Sequence, residues 1–101
     1  MNLLPCSEGT SILEHDLHDY ALHNKVDSIY VVETPDGFYV IAKIRSMSRN
    51  GAVREWYLCT RRERTSPKLF SRLERLNERL KELCPGLGFR LIRTPDKKEA
   101  P

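Results

Sequence analysis

The chain has 101 residues, 40% apolar and 31% charged, which matches one soluble domain and excludes a disordered chain. Its net charge of +3 hides an uneven distribution: residues 1–42 carry Lys25 against seven acids, whereas residues 43–72 carry nine bases against Glu55 and Glu63. No apolar run approaches the roughly 20 residues of a bilayer span, no basic start precedes an apolar stretch as in a secretory signal, and Cys6, Cys59 and Cys84 lack the even count and close spacing of a disulfide framework. A cytoplasmic protein without membrane partners is expected, with residues 1–9 as a leading segment, residues 10–94 as a single domain and residues 95–101 as a frayed tail.

In chain order, Ser11 and Glu14 have the spacing of a capping box, and Leu13, Leu17, Tyr20 and Ala21 recur at helical intervals. A short amphipathic helix is predicted over residues 12–23. Residues 28–33 and 38–44 are rich in β-branched and aromatic side chains, separated by Thr34-Pro35-Asp36-Gly37. Proline pre-sets a turn and glycine accepts a positive φ, so these segments form a hairpin. Asn50-Gly51 signals a second turn into a third strand over residues 53–60. Ser66-Pro67 has the chemistry of a helix start, and Leu69, Leu73, Leu76, Leu80 and Leu83 then form a stripe that ends at Cys84-Pro85-Gly86. A last strand is expected over residues 89–94. The predicted fold is α+β: a four-stranded antiparallel sheet, made of a three-strand meander plus a C-terminal strand, with one long helix on one face and a short N-terminal helix, in the order α-β-β-β-α-β.

Alternation along the hairpin sorts its side chains into two sets. With Glu33 opposite Phe38, one face holds Ile29, Val31, Phe38, Val40, Ala42 and Ile44, a core for the leucine stripe. The other holds Tyr30, Val32, Tyr39 and Ile41, then Lys43 and Arg45. Four large apolar side chains in contact would approach the patch of a few hundred Å² that monomers seldom leave exposed. The first helix or Leu3 and Leu4 would cover them, or a second subunit or partner would, making Tyr30, Val32, Tyr39 and Ile41 a candidate partner interface.

The basic stretch carries the functional expectation. Lys43, Arg45, Arg49, Arg54, Arg61, Arg62, Arg64 and Lys68 are candidate phosphate contacts, and Trp56 and Tyr57 interleave aromatic groups that would stack if exposed. The competing explanation is an ordinary solvated surface with Trp56 in the core. A three-strand meander followed by a helix is similar in element order to integrase arm-binding and plant GCC-box-binding domains, from which the first helix and fourth strand depart. Fold order alone assigns no family.

Other constellations are weaker. His15, His18 and Asp19 share a helical segment, but such spacing is common on solvated acidic faces and falls short of a zinc ligand set. Cys59 precedes Arg61 and Arg62, which would favour a thiolate, yet no histidine is near it in sequence, His23 being 36 residues away. Gly86-Leu87-Gly88 follows a helix, the wrong polarity for a phosphate cradle. The leucine repeat spans two heptads, short of a coiled coil. No residue is read as catalytic or metal-binding and no cofactor is expected. The expectation is a small non-enzymatic nucleic-acid-binding module, duplex DNA foremost. Its rivals are a protein-interaction module, such as a mobile-element regulator or inhibitor docking on an acidic protein, and a homodimeric structural subunit.

Overall fold

The structure, a computed structural model, describes residues 10–45 and 52–93. Arg49, the Asn50-Gly51 turn, Leu3, Leu4 and the C-terminal tail lie outside the described residues. The elements are β1 (Ser11–Ile12), α1 (Glu14–Leu22), β2 (Val26–Thr34), β3 (Gly37–Arg45), β4 (Val53–Leu58), α2 (Leu73–Leu83) and β5 (Arg90–Arg93).

The hairpin has the register its turn chemistry implies. Glu33 stands opposite Phe38 and Thr34 opposite Gly37. The Thr34 hydroxyl donates to the Gly37 carbonyl at 2.9 Å and accepts from the Asp36 amide at 3.1 Å. Gly37 has φ +141°, and a Cβ there would fall 2.6 Å from the Phe70 carbonyl oxygen. Conformation and close approach both require glycine. That approach arises because Phe38 and Phe70 exchange two backbone hydrogen bonds of 2.8 Å.

The expected four-stranded antiparallel sheet is corrected to a five-stranded mixed sheet in the order β1-β4-β3-β2-β5. The β2–β3 and β3–β4 pairs are antiparallel, whereas β1 runs parallel to β4 and β5 parallel to β2. Parallel neighbours need a crossover rather than a tight turn. The two helices supply it: α1 carries the chain from β1 to β2, and α2 carries it from β4 to β5.

Both helices start later than their caps imply. Ser11 and Ile12 pair with Tyr57 and Leu58 as β1, so Leu13 becomes the N-cap of α1 without a side-chain bond. The capping box does not form, because the Glu14 carboxylate is drawn to Lys68 and Arg79. The second helix does not begin at Ser66-Pro67 but at Leu73, after Arg72 as N-cap. The Lys68 amide donates to Leu58 at 2.8 Å and Phe70 bridges Phe38, so this segment satisfies backbone groups of the sheet instead of its own helix. Leu69 therefore leaves the stripe and is 47% exposed.

Leu17 of α1 and Leu76, Leu80 and Leu83 of α2 bury against Ile29, Val31, Val40, Ala42 and Ile44. Both helices thus cover the same sheet face, and the expectation that the first helix shields the other face is corrected. On that other face Tyr39, Tyr57 and Cys59 form a second cluster, with Val32 and Ile41 packed against it. The two tyrosine rings lie 6.0 Å apart and each residue is only 8% exposed. Among the described residues no helix lies on this face.

Candidate nucleic-acid interface

β4 organises the basic residues. Ile44 stands opposite Arg54 and Arg45 opposite Val53, so Lys43 and Arg45 belong to the tyrosine face while Arg54 lies on the helix-covered face, all at one rim. The Lys43 ammonium sits 4.9 Å above the Tyr30 ring and 3.8 Å from Glu55. Arg45 pairs with Asp27 at 3.1 Å. Arg54 is exposed and lies 5.4 Å over the Trp56 ring. Trp56 itself is half-buried against the core, and Tyr57 is buried on the opposite face.

Arg61 and Arg62 occupy the other end of β4. A short turn holds this end in shape: the Glu63 amide donates to the Thr60 hydroxyl at 3.1 Å, and the Thr65 hydroxyl donates to the Glu63 carboxylate at 2.5 Å. Arg61 and Arg62 are exposed and form no ion pair among the described residues. The seven residue steps from Arg54 to Arg61, at up to about 3.3 Å each, separate the two groups by at most on the order of 20 Å.

Arg64 and Lys68 face inward. Arg64 donates from Nε to the Ser11 hydroxyl at 2.9 Å and from a terminal nitrogen to the Ser11 carbonyl at 3.2 Å, fastening the loop to β1. The Lys68 ammonium is 3.0 Å from Glu14 and 4.9 Å over the Phe70 ring. Arg79 of α2 donates to the same Glu14 carboxylate from Nε at 3.1 Å and from a second guanidinium nitrogen. The Arg79 hydrogen bond, joined by Lys68, holds the Glu14 carboxyl below its ordinary value against the opposing effect of burial. Glu14, mainly, keeps Arg79 more firmly protonated. This hub ties α1, α2 and the linker together, and no local pattern announces it, because Glu14 meets residues 54 and 65 positions away.

His18 donates from Nδ1 to the Leu83 carbonyl at 2.9 Å, capping the end of α2. His15 pairs with Asp16 at 3.2 Å. Among the described residues no three His, Cys, Asp or Glu side chains converge as a metal site. Cys59 is buried with its thiol donating to the Tyr57 carbonyl at 3.3 Å, and burial pushes the Cys84 thiol up to about 11, where it stays protonated at neutral pH. A groove beside α1, lined by Asp16, Asp19, Tyr20, His23, Lys25 and Trp56, carries mixed charge. No helix among the described residues is long and apolar enough to cross a membrane. No protein-family model, curated protein or solved structure matches the chain.

Proposed function

We propose that this protein binds nucleic acid without catalysing a reaction, duplex DNA foremost, through arginine contacts to backbone phosphates from both ends of β4. The observation that carries the reading is that Arg54, Arg61 and Arg62 are exposed and have no carboxylate partner among the described residues. Guanidinium forks match phosphate oxygens. A separation of at most on the order of 20 Å covers up to about six base-pair steps of 3.4 Å. Lys43 and Arg45 join this surface, because exposed ion pairs such as Arg45–Asp27 are worth only about 0–1 kcal/mol and yield readily to a phosphate. Arg64 and Lys68 shape the loop and do not count among the contacts.

Fluorescence anisotropy with a labelled duplex at several salt concentrations tests this. Replacing Arg61 and Arg62 with alanine makes the slope of log affinity against log salt shallower by about 0.9 for each lost contact, alike for all sequences. Arg64→Ala leaves that slope unchanged. Absence of wild-type binding at low salt ends the nucleic-acid reading.

A further inference from the structure

β5 closes the sheet on the side away from β4, and its outer edge has no partner strand among the described residues. An open edge offers a row of backbone donors and acceptors that an added strand can pair with. All four residues of β5 are exposed, including Leu91 at 37% and Ile92 at 39%. Its register with β2 sets Leu91 beside Val31 on the helix-covered face and Ile92 beside Val32 on the tyrosine face. A strand added here would extend both apolar surfaces at once.

The ends of β5 determine which strand fits. Arg90 and Arg93 flank the apolar pair. Arg90 forms no ion pair among the described residues, and Arg93 pairs with Glu33 at 3.2 Å. The antiparallel self-pairing that uses all four residues of two copies places Arg90 opposite Arg93 at both ends, and like charges directly opposite are destabilising. Acids at those positions would turn both contacts favourable.

We propose that the outer edge of β5 docks an extended segment of another protein in which acidic residues flank an apolar pair. This site is independent of the phosphate reading. It lies three strand spacings from β4, about 14 Å across the sheet, and shares no residue with it.

The test uses the full chain and labelled ten-residue peptides with a Glu-Val-Ile-Glu centre, a Lys-Val-Ile-Lys centre, and the Glu form N-methylated on either set of alternate residues. The Glu-flanked peptide binds, and the Lys-flanked one binds at least about tenfold more weakly. One of the two N-methylated sets abolishes binding, because only alternate amides face the protein. Arg90→Glu, which leaves Arg93 in place, removes the preference between the Glu and Lys peptides, and amide resonances of residues 90–93 shift on titration. The proposal is overturned if the Glu-flanked peptide fails to bind, if both charge forms bind equally, or if neither N-methylated set weakens binding. It is also overturned if light scattering shows a dimer that Ile92→Lys dissociates, since a second copy then holds the edge. Duplex binding is unaffected by Arg90→Glu, so failure of either reading is visible separately.

Discussion

Two groups of basic residues, close in sequence, have opposite fates. Arg61 and Arg62 turn outward at the end of β4, whereas Arg64 and Lys68 turn inward to Ser11 and Glu14. The inner group is joined by Arg79 from α2 and rests over the leucine core. A basic residue becomes structural where a second element offers it an acceptor sheltered from water, and stays available where only solvent faces it. The charge of the stretch therefore overstates its free cationic surface.

The strongest challenge to the inner region is Leu76→Ala. Leu76 is completely buried between α2 and the sheet, so truncation costs about 2–5 kcal/mol. Chemical denaturation measures it, and an unchanged midpoint would separate α2 from the core.

Glu14→Gln strikes the hub above that core and leaves Lys68 and Arg79 without their shared counter-charge. Hydrogen bonds to charged groups contribute about 1.5–3 kcal/mol, and partial exposure reduces the expected loss to about 1–2 kcal/mol. The pH dependence has a definite sign. Glu14 is depressed in the folded protein from an ordinary 4.5, so its contribution is present above that value and is lost as pH falls through the lower folded value. Wild-type stability drops through this acidic window, and the Gln variant drops less. Parallel curves for the two proteins would remove the hub from the account of stability.

Arg64→Ala tests the loop fastening. Loss of its two bonds to Ser11 costs about 1 kcal/mol, read by thermal or chemical denaturation. The smallest effect on stability belongs to the outer group: alanine at Arg61 and Arg62 together shifts stability by less than about 0.5 kcal/mol. A large loss there would erase the distinction between the two groups.

Local chemistry made much of the scaffold legible. Pro35, Asp36 and Gly37 define a tight turn, and two-residue periodicity then assigns each side chain of β2 and β3 to a face, so the Glu33–Phe38 register and both face sets follow from neighbours in sequence. The leucine stripe likewise marks the buried side of α2 from Leu73 onward. Start points were less legible. Ser11 and Ser66 have the chemistry of helix caps, yet β1 pairing claims the first, and backbone bonds to Leu58 and Phe38 keep the segment after the second out of the helix.

By itself the sequence determined the α+β class, the hairpin and its register, the apolar stripe and the basic stretch, because each depends on residues a few positions apart. Only the tertiary structure decided the parallel edge strands, the placement of both helices on one face, and which cations are consumed within the fold. Those outcomes depend on pairings between distant segments, such as Ser11 with Tyr57 and Arg64, Phe38 with Phe70, and Glu14 with Arg79. A backbone group or charge that can be satisfied either locally or by a distant element goes to the partner that burial makes stronger.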